Sequence, residues 1–427
     1  MRAEVLTIGD ELMRGEIVDS NKSVLSERLL RLDVETHFHT SVRDDPDDMT
    51  DAFRRAASRS DVVLVSGGLG PTRDDLTMEV LARTFGRKLV LHQPSLDGIR
   101  AFFSQFGRVM TANNEKQAWF PEDAEVLPNP VGTAPGCMLE EGDTAFFCMP
   151  GVPRELVKMM DEQVLPRIAA RSRREGGVVV RAALLRTFGM GESTLDAELA
   201  DLAREEGVSL GFRTSFPDNF LRPLARGATA EQAEARLARL CEEIERRLGA
   251  LVYGRDEESL EQVVVALLAR ARRSLAVAES CTGGLLGERL TSVPGASRVF
   301  LGGVVAYADV AKRELLGVSQ DQLEEYGAVS APVAVAMAEG ARARFGADLA
   351  VSTTGISGPE GGSAEKPVGL VFVGFASGEG ATAQEFLFPF DRARHRLVTT
   401  QVGLDWVRRT LLGEPQVAPR YLLRRPR

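Results

Sequence analysis

Residues 61–77 read DVVLVSGGLGPTRDDLT, and the class of the N-terminal domain follows from them. Residues 61–66 are apolar on both faces, the pattern of a strand buried inside a parallel sheet. The run breaks into three glycines, Gly67, Gly68 and Gly70, and then into helical spacing. A strand–loop–helix junction puts its loop at the carboxyl edge of an α/β sheet, where such folds bind ligands. Loop N–H groups and a helix N-terminus favour an anion there. Asp74 and Asp75 would repel a bare anion, but they make sense if a divalent cation bridges them to phosphate. A helix N-cap accounts for one of the two aspartates, not for both.

On either side of this stretch, strands and helices alternate. Residues 5–8, 34–42 and 144–149 read as strands, and residues 21–32, 46–58 and 154–169 as helices. The predicted class is α/β and multi-domain, beginning with a doubly wound N-terminal sheet over residues 1–170. Two further loops fall at strand ends: residues 9–21, with Glu11 and Asn21, and residues 129–136, with Thr133. The candidate substrate contacts are Gly67, Gly68, Gly70, Thr72, Asn21 and Thr133. The candidate metal ligands are Asp74, Asp75 and Glu11.

The charged, glycine-ended stretch RSRREGG, residues 171–177, reads as a linker. Residues 178–254 then read as a strand, a helix, a strand pair and a long helix, a small α+β module of KH-like outline. Its ten Arg stand against twelve Asp and Glu, and Gly189-Met190-Gly191-Glu192 is not a GxxG clamp, so no nucleic acid is expected. Residues 255–413 alternate again, as an α/β C-terminal domain with a core of its own. Residues 414–427 form a basic, proline-rich tail expected to be disordered.

The C-terminal domain carries a second constellation. AESCTGG, residues 278–284, places Ser280, Thr282, Gly283 and Gly284 at a strand-to-helix junction, where free backbone N–H groups can serve as an oxyanion hole. A strand over residues 302–306 runs into Tyr307, with Lys312 five residues on. Thr354, Gly355, Ser357 and Gly358 form a second glycine-rich loop after a strand, and Arg392 and Arg396 open the last helix. Only six of 52 basic residues are lysine. Lysine can lose its proton where arginine cannot, so Lys312 is a candidate base for Ser280. Cys281 is a rival nucleophile without a nearby histidine, since His395 is the domain's one histidine and lies far along the chain.

The chain has 427 residues and a net charge of −9, which argues against binding polyanions at large. Its four cysteines form no CxxC, and with four histidines a zinc site is not expected. Early acidic residues exclude a signal peptide, and no apolar run reaches spanning length. A reducing cytoplasm and no membrane partner are therefore expected.

These motifs match a family. SGGLGPTRDDLT, NNEKQAWFP, NPVGTAPG and MPGVPREL resemble the N-terminal domain of the CinA proteins, which is similar to the molybdopterin-binding fold. FGMGES resembles the middle module. AESCTGGLLGERLTSVPGAS, AYADVAKRELLGV and TGISGPEGGSAEKPVG resemble the C-terminal nicotinamide-nucleotide amidase domain. The resemblance implies that the C-terminal domain converts nicotinamide mononucleotide to nicotinate mononucleotide and ammonia without a cofactor, with Ser280 as nucleophile beside Tyr307 and Lys312. It implies an ADP-ribose pyrophosphatase in the N-terminal domain, using a divalent metal (magnesium, manganese or cobalt) and potassium as activator. A homodimer is expected. Relatives often carry Ser-Asn after the tyrosine, where this chain has Ala308-Asp309. The other readings are a non-catalytic competence or DNA-damage adaptor and a molybdopterin-binding enzyme.

Overall fold

A computed structural model describes residues 1–174 and 179–416. The end of the expected linker and most of the expected disordered tail lie outside the described residues. The chain divides into two compact units, one of residues 1–181 and 226–233, the other of residues 182–225 and 234–427.

The first unit holds a six-stranded sheet. In spatial order its strands are Glu35–Val42, Arg2–Ile8, Val62–Ser66, Thr144–Met149, Gly136–Glu141 and Glu125–Leu127. The first four are parallel, and Gly136–Glu141 pairs antiparallel with its neighbour on either side. Both faces are covered, which is why the central strands are apolar throughout. Leu6, Ile8, Val63 and Val65 pack into one core with Phe53 and Phe146, whereas Ala3, Val5, Val62 and Leu64 pack into the other with Phe147 and Ile168. Every residue of Val62–Ser66 is buried. The expected helix over residues 154–169 is found as Pro153–Met159 and Leu165–Arg174, joined by a single π turn.

In the second unit, the expected first strand of the middle module is broken. Val179–Ala182 and Leu185–Thr187 are separate strands. Leu185–Thr187 is flanked by the hairpin strand Asp218–Gly227 and by Val252–Arg255, both antiparallel to it. The C-terminal sheet runs, in spatial order, Phe300–Val305, Leu275–Glu279, Leu349–Gly355, Leu370–Ser377 and Gly380–Leu387, three parallel strands and then two antiparallel. The terminal helix Arg392–Leu412 is buried almost without interruption from His395 to Arg409.

The core of residues 255–413 also takes in side chains of the middle module. Phe188 and Tyr253 of the middle module sit in one apolar cluster with Leu275, Val351, Phe386 and Trp406. Arg408 and Arg409 of the terminal helix donate to the Ala250 carbonyl. Among the described residues no helix is long and apolar enough to cross a membrane.

Candidate functional sites

The N-terminal site is a cavity of about 490 Å³ at the carboxyl edge of the parallel strands. Gly67, Gly68, Gly70, Asn21, Thr133, Glu11, Asp74 and Asp75 all line it, while Thr72 does not. Gly67 makes the close turn possible. Its φ is +110°, and a Cβ there would stand 2.2 Å from the Ile8 carbonyl oxygen. Neither aspartate caps the helix Thr77–Thr84, whose N-cap position is Leu76. Asp75 instead accepts from the Thr72 backbone N–H at 2.8 Å and from its hydroxyl at 2.6 Å. It braces its own loop.

Asp44, which the sequence reading passed over, lies among further acids and accepts from the Asp10 N–H at 2.9 Å, while Asp10 itself pairs with Arg14 and Arg43. Burial raises the Asp44 carboxyl from its ordinary value against the lowering effect of the Asp10 N–H, and the charges of Glu11, Asp10 and Asp74 raise it further. Among the described residues no three Asp, Glu, His or Cys side chains form a ready-made metal cage. Asn21 donates to Ser66 Oγ (3.0 Å) and Gly151 O (2.8 Å), which leaves its Oδ1 buried without a partner. Glu11, Asp44 and Asp74 line one cavity with the orphan Asn21 oxygen, which fits a hard cation that takes only one or two protein carboxylates and completes its shell with phosphate and water.

The C-terminal site lies at the matching edge of its own sheet. Ser280 follows the strand Leu275–Glu279, and its N–H donates to Thr353 O at 2.9 Å. Ala306 N–H donates to Glu279 O at 2.8 Å, which brings Tyr307 alongside. The Ser280 hydroxyl has no hydrogen-bond partner among the described residues. Lys312 is 1% exposed. Its Nζ donates to Tyr307 O (3.2 Å) and Asp309 Oδ1 (3.4 Å), not to Ser280. The three residues therefore meet at one edge, and Asp309 holds the ammonium. Cys281 is buried, which pushes its thiol up to about 12 and disfavours the thiolate a nucleophile needs.

Backbone N–H groups in AESCTGG are less free than the motif suggests. The Glu279 carboxylate accepts from the N–H groups of Gly284 (3.0 Å), Leu286 (3.0 Å) and Gly287 (2.8 Å). Gly283 N–H donates to Ser280 O. The Gly283 N–H is thus spent on a backbone carbonyl and the Gly284 N–H on the loop's own acid, a correction to their reading as anion contacts. Thr282 and Thr354 also turn into the fold. Thr282 Oγ1 pairs with Thr353 Oγ1 (2.7 Å), and Thr354 Oγ1 donates to Ala328 O (2.7 Å). Arg396 donates twice to Thr282 O, at 3.0 and 2.6 Å. Arg392 joins Gly358 O (2.9 Å) to the Tyr307 hydroxyl (3.2 Å). Gly355 ends its strand with no room for a side chain, since a Cβ would meet Leu370 O at 2.6 Å.

The structure adds His395, which the sequence reading set aside for its distance along the chain. His395 is fully buried, and its Nδ1 lies 2.9 Å from Ser357 Oγ. Its one sequence signal was its place in the helix turn shared by Arg392 and Arg396.

Three family models match the chain. A "probable molybdopterin binding domain" covers residues 4–170, a "damage-inducible protein CinA KH domain" residues 183–254, and a "CinA C-terminal domain" residues 257–411. A CinA-like protein of Dictyoglomus thermophilum is 43% identical over 97% of this chain and all of its own. A CinA-like protein of Anaeromyxobacter is 45% identical over 96% of this chain and 99% of its own. Among solved structures, a competence/damage-inducible protein of Agrobacterium tumefaciens is 39% identical, covering 36% of this chain and 93% of its own, at a TM-score of 0.35.

Proposed function

The chain belongs to the CinA family, and from that premise we propose that its C-terminal domain hydrolyses the carboxamide of nicotinamide mononucleotide to nicotinate mononucleotide and ammonia. The observation that carries this reading is the unpartnered Ser280 hydroxyl beside a buried lysine and an exposed tyrosine. Ser280 Oγ adds to the amide carbonyl, ammonia leaves, and water cleaves the resulting acyl-enzyme. Lys312 relays the proton, which requires that it give up Asp309 as substrate enters; catalytic hydrogen bonds often tighten only in the complex. Arg392 and Arg396 supply positive charge for the phosphate.

We infer a second activity, metal-dependent hydrolysis of ADP-ribose to AMP and ribose 5-phosphate, for the N-terminal cavity. Asp74 and Glu11 would hold the ion. It would supply a positive charge shared with the diphosphate, and Asn21 Oδ1 would accept from a substrate hydroxyl. The cytoplasm is the proposed compartment and a homodimer the proposed assembly.

The test of the amidase is ammonia release. Ser280→Ala loses turnover by several orders of magnitude while still binding nicotinamide mononucleotide, and Lys312→Arg fails nearly as badly as Lys312→Ala, because arginine stays protonated. Near-normal ammonia release by Lys312→Arg rules out the base role. Near-normal release by Ser280→Ala rules out the nucleophile.

A further inference from the structure

The hydroxyl–imidazole pair of Ser357 and His395 is not used by the mechanism above, and its proton positions follow from geometry. His395 Nε2 lies 3.2 Å from the Gly369 carbonyl oxygen. A carbonyl oxygen can only accept, so Nε2 carries the proton. In a neutral ring Nδ1 is then a bare lone pair, and the Ser357 hydroxyl 2.9 Å away donates to it. The ring is neutral because burial, with the nearby Arg392 charge, lowers it to about 4. Ser357 has therefore committed its one proton inward. Its remaining lone pairs have no partner among the described residues.

The pair is also placed at the site. Ser357 belongs to the loop whose next residue, Gly358, is held by Arg392, and the same guanidinium reaches the Tyr307 hydroxyl. The arrangement resembles a nucleophile and its base, but it is poorly suited to that work. A proton taken by His395 would leave a second cation fully buried beside Arg392.

We infer that Ser357, fixed as a pure hydrogen-bond acceptor by His395, selects a ligand group that donates and disfavours the same group once it has become a carboxylate. Ser357 is the specificity-determining residue in this reading and His395 the positioning residue behind it. The inference rests on the amidase reading. A carboxamide presents N–H donors to the serine lone pairs. The product carboxylate presents only lone pairs, so two acceptors face each other and the acid is pushed out. The same contact would disfavour rebinding of product as it accumulates.

The test compares two ligands on one protein. Nicotinamide mononucleotide and nicotinate mononucleotide are titrated by calorimetry into full-length Ser280→Ala, which cannot turn over. Both titrations are repeated with Ser357→Ala and with His395→Phe added separately. His395→Phe keeps the ring volume but frees the Ser357 proton to meet a carboxylate. The ratio of acid to amide dissociation constants should fall about tenfold in His395→Phe, the worth of one acceptor–acceptor clash turned into a hydrogen bond. It should fall less in Ser357→Ala, which only removes the clash. Equal weakening of both ligands, with the ratio unchanged, would mean a structural role and overturn the inference while leaving the amidase reading intact. Failure of nicotinamide mononucleotide to bind Ser280→Ala at all would overturn the amidase reading and this inference with it. A second readout guards against misfolding. In the active protein, ammonia release that vanishes in Ser357→Ala but persists in Ser280→Ala would make Ser357 the nucleophile and refute the acceptor role. A raised KM for nicotinamide mononucleotide together with stronger product inhibition in Ser357→Ala is the supporting result.

Discussion

Asp218 should make the second unit less stable as pH rises toward 8, and Asp218→Asn should remove that loss. Asp218 lies at the tip of the middle module's hairpin, and its Oδ1 accepts from Gln401 Nε2 on the terminal helix at 2.5 Å. Burial raises its carboxyl from 3.8 to about 7, against the lowering effect of Arg289, the Tyr253 hydroxyl and Arg186, with Glu261 acting to raise it. The sign follows directly. The native carboxyl holds its proton more tightly than the unfolded one, so between about 4 and 7 the native state carries more protons and stability falls with rising pH. Below that window the effect is absent, and above it the full penalty is in place. At about 1.36 kcal/mol per unit, the whole shift is worth roughly 4 kcal/mol and the part above pH 5 roughly 3 kcal/mol. Asparagine keeps the acceptor for Gln401 but cannot ionise. The stability of Asp218→Asn over wild type should therefore grow by roughly 3 kcal/mol from pH 5 to pH 8. The chain has two tryptophans, Trp119 and the buried Trp406. In a Trp119→Phe background, urea unfolding followed by fluorescence reports the second unit alone. A stability gap that stays constant within about 0.5 kcal/mol across that range, inside the scatter of such measurements, would refute the reasoning.

The other predictions concern the N-terminal acids and the shared core. Asp74→Asn should weaken metal-dependent AMP release from ADP-ribose through metal affinity, by about 10–100-fold, and leave ammonia release unchanged. Asp75→Asn should cost less, since an amide oxygen can still accept from Thr72; equal losses in the two variants, read from metal titrations of AMP formation, would return Asp75 to the ligand set. A fragment of residues 255–416 should be far less stable than one of residues 182–416, because it lacks Phe188 and Tyr253, buried rings worth about 3–5 kcal/mol each. Thermal melts by circular dichroism check this, and equal midpoints would show that the core closes without the middle module.

What could be read from the sequence was whatever has a local cause. Val62–Ser66 is apolar on both faces because both faces are covered, so strand, parallel pairing and loop position came together. Gly67 marks its own turn because no side chain fits there. The CinA kinship was legible for a related reason: its motifs sit on such junctions. What could not be read depends on chain segments meeting from afar. Ser357 and His395 are 38 residues apart. Phe188 and Tyr253 read as residues of a separate module, and only the buried terminal helix shows that they complete the C-terminal core. Asp44 sat in a run of surface-like acids, RDDPDD, until folding set it against Asp10 and Glu11.

The two edges share a plan, a glycine loop after a buried strand, yet they differ in what charge is left over. In the C-terminal loop, Glu279 consumes the N–H groups of Gly284, Leu286 and Gly287. Those donors cannot also hold a phosphate, so under the proposed function anion recognition would fall to Arg392 and Arg396, which also brace their loops. The N-terminal edge has the opposite surplus. Burial, with the charges of neighbouring acids, pushes Asp44 upward there, and the proposed anionic ligand would approach with a cation between. This contrast supports the proposal of a monophosphate substrate at one site and a metal-bound diphosphate at the other. The motif letters alone, glycine-rich in both loops, do not distinguish them. The difference lies in whether a carboxylate faces the loop's own N–H groups or the open cavity.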